Sequence, residues 1–136
     1  MELSELEINI DEHDAGFPLT LNLSTGKQVI VRTRGLMFQP YRNTYAELMR
    51  KAAQTAGRDG LDLVGTEKVE SEAMAEHLLL GWEGITVAGE PVPYSKEQAR
   101  TFLTDRRYRL FFEAYREALV EQKNTTVADK EARIKN

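Results

Sequence analysis

The sequence contains no cysteine and only two histidines, His13 and His77. The absence of cysteine excludes a disulfide framework, a thiol nucleophile, an iron–sulfur cluster and a cysteine-ligated zinc site. No apolar run approaches the roughly 18 residues that a membrane-spanning helix needs. Acidic side chains, Glu2 and Glu5, stand where a secretory signal would be basic. We therefore expect a soluble protein of the cytoplasm, without a membrane partner.

The chain also lacks a surplus of positive charge. Its 136 residues carry 18 basic and 22 acidic side chains, which gives a net charge of −4. A general nucleic-acid coat usually needs a basic surplus, so a nucleic-acid partner is not expected. Hydrophobic residues make up 41% of the chain and charged residues 29%, which is typical of one globular domain.

Stretches with an apolar residue at every second position predict an antiparallel sheet near the N-terminus. A period of two places alternate side chains on one face of a strand. The segment from Ser24 to Lys27 offers a hairpin turn, and Pro18 predicts an edge strand because it cannot donate a ladder hydrogen bond. We expect a hairpin or a three-stranded sheet built from three stretches: Leu6, Ile8 and Ile10; Phe17, Leu19, Leu21 and Leu23; and Val29, Val31 and Thr33.

From residue 41 onward the apolar period becomes helical, and about four helices are expected. The first helix ends before Gly57, and the second runs from a Thr66 cap to Leu80. This order of sheet and then helices predicts an α+β fold. We expect a single domain over residues 1–120, β-rich over 1–35 and helical over 41–120. Residues 121–136 are polar and predict a flexible tail.

Residues 81–94 are rich in glycine and proline, which predicts an ordered turn segment with a short hairpin around Ala88 and Gly89. Within it, Trp82 is expected to lock the turn as a core side chain. Ser95 and Gln98 match a capping box at the start of the third helix. The predicted structural turn consists of Gly81, Trp82, Glu83 and Gly84.

The last helix, expected to start at Thr104 or Asp105, combines an apolar stripe with arginines. Phe111 and Phe112 are adjacent and point about 100° apart on a helix, so one buried face does not obviously cover both. Exposed aromatic side chains would suggest a protein-binding surface, whereas a fully covered stripe would be core. The candidate partner-binding residues are Tyr108, Phe111, Phe112, Tyr115, Arg106, Arg107 and Arg109.

No arrangement of catalytic residues stands out, and we expect a protein that is not an enzyme and needs no cofactor. The run from Asp11 to Asp14 could offer oxygen ligands to a divalent cation, but it lacks calcium-loop spacing, so a solvated turn is the favoured interpretation and no metal site is predicted. The sequence Arg106-Arg107-Tyr108-Arg109 could contact nucleic acid. The favoured interpretation is that these arginines lie on the solvent-exposed side of an amphipathic helix whose aromatic residues face the core.

Two short motifs resemble the tail assembly chaperones of long-tailed, siphovirus-like bacteriophages. The motifs are Gly81-Trp82-Glu83-Gly84-Ile85 and the segment Gly89-Glu90-Pro91-Val92-Pro93-Tyr94-Ser95. The aromatic and basic helix that starts at Asp105 and the extended N-terminal portion, residues 17–34, are also similar. The resemblance covers residues 17–120, and its specific part is about fifteen residues, a length at which chance matches occur.

The resemblance implies a non-enzymatic protein that binds the tape-measure protein while tail-tube subunits polymerise around it. It implies action in the cytoplasm of the bacterial host, absence from the mature virion, contact with the tail-tube subunit and self-association into a homo-oligomer. Two other functions stay open. One is a structural virion or tail component that self-associates through edge strands. The other is a small nucleic-acid-binding regulator that uses the arginines.

Overall fold

The computed structural model describes residues 1–135, so Asn136, the end of the predicted tail, lies outside the described residues. Within that range the chain forms six α-helices, a three-stranded antiparallel sheet and a small hairpin, which confirms the predicted α+β class. The strands are β1 (Phe17–Asn22), β2 (Gln28–Thr33), β3 (Leu79–Trp82), β4 (Thr86–Val87) and β5 (Glu90–Pro91). The helices are α1 (Ile10–Ala15), α2 (Gln39–Ala56), α3 (Leu63–His77), α4 (Lys96–Thr104), α5 (Arg109–Lys123) and α6 (Val127–Lys135).

The predicted hairpin of β1 and β2 is confirmed. The two strands pair antiparallel from Phe17 opposite Thr33 to Asn22 opposite Gln28. The Leu23 amide donates to the Lys27 carbonyl at 2.9 Å and closes the turn. β1 is an edge strand of the sheet, whose order is β1-β2-β3, as Pro18 predicts.

The predicted strand over Leu6 to Ile10 is wrong. Residues Leu3–Leu6 form a 3-10 turn, and α1 begins at Ile10. The Asn9 side chain accepts a hydrogen bond from the Glu12 amide at 3.1 Å, which is the N-cap geometry that favours a helix start. This local hydrogen bond outweighs the alternation of only three apolar residues.

The sheet gains its third strand from a segment that the periodicity assigns to a helix. α3 ends at His77 rather than Leu80, and it begins at Leu63, where the Asp62 side chain caps the Gly65 amide at 2.8 Å in place of Thr66. Leu79–Trp82 then pairs with β2 as β3. The second helix is therefore shifted toward the N-terminus.

The predicted start of the last helix at Thr104 or Asp105 is wrong, because α5 begins at Arg109. The Asp105 side chain instead caps a 3-10 turn over Arg106–Tyr108. Two other local predictions for the C-terminal half are confirmed. β4 and β5 form the short hairpin, whose turn residues Ala88 and Gly89 both have positive φ. The Ser95 hydroxyl accepts from the Gln98 amide at 3.0 Å and caps α4. Beyond α5, the polar segment forms α6, and the Val127 amide donates to the Glu7 carbonyl. The predicted flexibility of this segment stays a prediction.

The core contains one buried pair of hydroxyl groups. Tyr115 on α5 and Thr33 on β2 are both 0% exposed, and their oxygens lie 2.7 Å apart. The Thr33 hydroxyl also lies 3.0 Å from the Leu78 carbonyl, at the junction of α3 and β3. Burial raises the pKa of Tyr115 well above its usual range, so the phenol stays protonated and available as a donor.

We expect a double-mutant cycle to show this coupling. Tyr115→Phe should lower the free energy of unfolding by about 1–2 kcal/mol, because it leaves the Thr33 oxygen short of a donor. Thr33→Val should cost about 1–3 kcal/mol, because it leaves a buried phenol without its partner. Chemical denaturation of the two single variants and the double variant measures the cycle. Additive losses would contradict a direct coupling.

His13 holds α1 against the segment that follows β2. The ring is fully buried, and its Nδ1 accepts from the Met37 amide at 3.2 Å. A β-carbon on Gly35 would collide with the ring. Burial lowers the pKa of His13, an effect that the neighbouring Glu12 and Asp14 carboxylates partly oppose. The folded state therefore keeps this imidazole neutral.

This burial predicts a pH-dependent stability. The unfolded chain takes up a proton near pH 6.5, whereas the folded chain resists protonation until lower pH. The stabilisation is thus complete above about pH 6.5 and is lost as pH falls through the folded pKa. Wild type should lose stability on acidification from pH 7 to 5, and His13→Gln should lose less. An equal slope in the two proteins would contradict the assignment.

Candidate functional site

The segment predicted as a structural turn is divided between a strand and a turn. Gly81 and Trp82 belong to β3, Glu83 is exposed, and Gly84 makes the bend with a φ of 77°. The Trp82 ring is buried between Tyr94 and Phe102, with ring centroids 5.0 and 5.3 Å away.

The indole nitrogen of Trp82 donates to the Val92 carbonyl at 2.8 Å. The tryptophan thus joins β3 to the chain that follows β5 and to α4. The two motifs of the sequence, Gly81–Ile85 and Gly89–Ser95, are held together by this ring.

The aromatic stripe of α5 is mostly core. Tyr115 is fully buried and Phe112 nearly so, and neither ring offers area to a partner. Tyr108 and Phe111 are half-buried and pack against Phe102 of α4, with ring centroids 5.0 and 5.9 Å away. A partner could reach Tyr115 and Phe112 only if the core opened.

The arginines before α5 differ in their pairing. Arg107 bonds to the Asp105 carboxylate at 2.8 Å, and this hydrogen bonding lowers the pKa of Asp105. The Asp105 side chain also caps the Arg107 amide at 2.9 Å. Arg106 is exposed and makes no ion pair within residues 1–135.

Ion pairs join the outer side of α5 to α3. Arg109 contacts both Glu67 and Glu113, and its hydrogen bond lowers the pKa of Glu67. One step further along, Arg116 lies 2.5 Å from Glu70. Burial raises the pKa of Glu70 in spite of this partner. The first pair joins the second turn of α3 to the first residue of α5, and the second pair lies further along both helices. The two helices therefore run in the same direction.

Large apolar side chains are exposed near the starts of α3 and α5. Leu63 is 72% exposed and Val64 is 76% exposed, one helical turn before Glu67. Leu110, which follows Arg109, is 57% exposed. We call Leu63, Val64, Leu110 and the exposed Arg106 the helix-end surface. Removing exposed apolar surface from water is favourable. These residues are therefore a candidate contact surface for another protein.

Three of these residues, Leu63, Val64 and Leu110, are not among the candidates that the sequence predicts. A helix that starts at a Thr66 cap leaves Leu63 and Val64 outside it. The signal for the earlier start is Asp62, an acceptor side chain directly before two apolar residues.

The acidic run at Asp11–Asp14 lies in α1, and two of its side chains make structural contacts. Glu12 pairs with Lys130 of α6 at 2.5 Å, and His13 is buried. Within the part of the chain that the structure describes, no three histidine, aspartate or glutamate side chains lie close enough to hold a metal ion. Over the same residues, no helix combines the length and apolarity needed to cross a membrane.

The fold defines a small α+β protein in which a helical body covers one face of a three-stranded sheet. The chain belongs to the YdaY prophage protein family, whose model matches residues 36–136. It is therefore a phage-derived protein. The match begins directly after the β1–β2 hairpin and includes the helix-end surface. No curated protein and no solved structure matches the chain.

The different exposures of Trp82 and Leu110 predict different effects on stability. Trp82→Ala should lower the free energy of unfolding by about 3–5 kcal/mol, because it removes a buried aromatic ring and leaves a cavity. Leu110→Ala should change it by less than about 0.5 kcal/mol, because the side chain is largely in water. Urea denaturation measures both. A mild effect of Trp82→Ala would show that the ring does not lock the two motifs together.

Proposed function

We propose that this protein is a tail assembly chaperone that binds the tape-measure protein and keeps it soluble while the tail tube polymerises. It acts without catalysis or a cofactor, in the host cytoplasm, and is absent from the finished virion. Three observations support the proposal: the prophage family, the two motifs joined by Trp82, and the helix-end surface. The same role includes contact with the tail-tube subunit during assembly.

The exposed apolar part of the helix-end surface carries the proposal. A chaperone that holds an aggregation-prone chain needs apolar area that stays in water when the partner is absent. It also needs a net charge that keeps the complex in solution, and this chain carries −4. The exposed apolar area comes from Leu63, Val64 and Leu110. Each of these side chains is more than half exposed, so a partner can cover it without disturbing the core.

The chemistry of this surface suits an amphipathic helix. Such a helix places its apolar stripe on exposed leucine and valine side chains and leaves its polar side in water. Arg106 lies at the edge of the surface without an ion pair in the described residues, and it can accept an acidic side chain of the partner. A long, helical tape-measure protein offers many such stripes.

The arginines give less support to nucleic-acid binding. Arg107 and Arg109 already pair with carboxylates of this chain, which reduces the charge available to phosphate. The structural alternative has one observation in its favour, the unpaired edge of β1. Stoichiometric presence of the protein in purified virions would support that alternative over a chaperone.

The proposal predicts that the tape-measure protein of the same prophage becomes soluble when co-expressed with this chain. A double variant, Val64→Ser with Leu110→Ser, should fold normally and lose co-purification, because it removes apolar contact area. Ile30→Ser is the matched control, since Ile30 is also exposed but lies on the sheet.

The readouts are the soluble fraction of the tape-measure protein, its co-purification and the melting temperature of each variant. Insoluble tape-measure protein with this chain alone in the supernatant would overturn the proposal. Equal loss of binding in Ile30→Ser and the double variant would move the contact away from the helix-end surface.

A further inference from the structure

β1 itself carries few of the features that usually protect a sheet edge. Edge strands are commonly protected by charged side chains, bulges or a covering element. β1 has the sequence Phe-Pro-Leu-Thr-Leu-Asn without a charge, and within residues 1–135 it pairs only with β2. Pro18 is the one protective residue in the strand.

The register shows which backbone groups face outward. Bonded and non-bonded pairs alternate in an antiparallel ladder. Leu23 forms a hydrogen-bonded pair with Lys27 of the opposite strand. Every second residue before it, namely Leu21, Leu19 and Phe17, is therefore also hydrogen-bonded to β2. Pro18, Thr20 and Asn22 therefore direct their backbone groups away from β2. The missing amide hydrogen of Pro18 therefore costs no hydrogen bond to β2. Thr20 lies at the centre of the open edge.

We propose that β1 pairs antiparallel with β1 of a second copy of this chain, around a two-fold axis at Thr20. In this register the two Thr20 residues exchange both of their backbone hydrogen bonds. Asn22 of each copy donates to the Pro18 carbonyl of the other copy. The missing Pro18 amide then costs only one bond at each end of the ladder, where the Asn22 carbonyl can bond to water. The strand is thus self-complementary despite its proline.

A groove beside the edge offers room for side chains of the second strand. It has a volume of about 350 Å³. Its lining includes Thr20 and Asn22 of β1, Ala118 of α5 and Lys130 of α6.

The opposite edge of the sheet limits assembly to a pair. The Tyr94 hydroxyl donates to the Leu79 carbonyl of β3 at 2.7 Å, and Trp82 bonds across to Val92. These side chains occupy the β3 edge. One open edge per copy produces a closed two-fold dimer, whereas two open edges would produce a filament. This inference does not depend on the proposed chaperone function.

Because the chain has no cysteine, single-cysteine variants test the register directly. The Thr20 pair should have a Cα separation of about 5.5 Å, within the range of a disulfide. Thr20→Cys should therefore form a cross-linked dimer under mild oxidation. Asn22→Cys is the matched control on the same exposed edge: its symmetry mate lies four residues along the strand, about 13 Å away, and should not cross-link.

Light scattering over a concentration series supplies a second measurement. Wild type and Thr20→Val should both be dimeric, because both retain the central amide. Thr20→Pro should be monomeric with a folded circular dichroism spectrum, because it removes that amide without breaking a bond to β2. A monomeric wild type, or equal cross-linking of both cysteine variants, would overturn the proposal. Protection of the Thr20 amide only on addition of tape-measure protein would assign the edge to that partner instead.

Discussion

The buried hydroxyl pair of Thr33 and Tyr115 is the constraint on which the arrangement of the other elements depends. Both residues are fully buried, so the Tyr115 hydroxyl needs Thr33 as its hydrogen-bond partner. Because Thr33 also bonds to the Leu78 carbonyl, the pair fixes three elements together: β2, α5 and the end of α3. A helix packed only through leucines could shift slightly along its axis. The buried hydrogen bond instead favours one placement of α5 relative to β2.

This junction also positions the two motifs, Gly81–Ile85 and Gly89–Ser95. Leu78 caps the C-terminus of α3, and its carbonyl lies 3.0 Å from the Thr33 hydroxyl. Leu79–Trp82 then continues directly as β3 beside β2. That placement inserts Trp82 between Tyr94 and Phe102, and α4 is held against the sheet. The family match begins at residue 36, yet Thr33 lies before it. The β1–β2 hairpin is therefore part of the core of the domain, although it lies outside the matched region.

Local hydrogen bonds explain which parts of the fold could be predicted from the sequence. The hairpin of β1 and β2 and the Ser95 cap depend on neighbours within a few residues, and both were predictable. β3 was not, because the run from Leu78 to Leu80 fits a helix until β2, about 45 residues away, offers a pairing partner. For the candidate site, the apolar stripe of α5 is predictable, but its burial depends on α4 and the sheet. Only the packed structure separates the core ring of Tyr115 from the exposed Leu110.

The two surfaces proposed for binding lie on different elements and do not compete. The helix-end surface is formed by the starts of α3 and α5, whereas the open edge belongs to β1. A two-fold pair joined at β1 presents two helix-end surfaces on one particle. A long helical partner that touches both gains a second contact at high effective concentration, so weak apolar contacts of a few side chains become sufficient for retention. Release remains possible because each single contact is small, which suits a chaperone that must give up its partner to the growing tube.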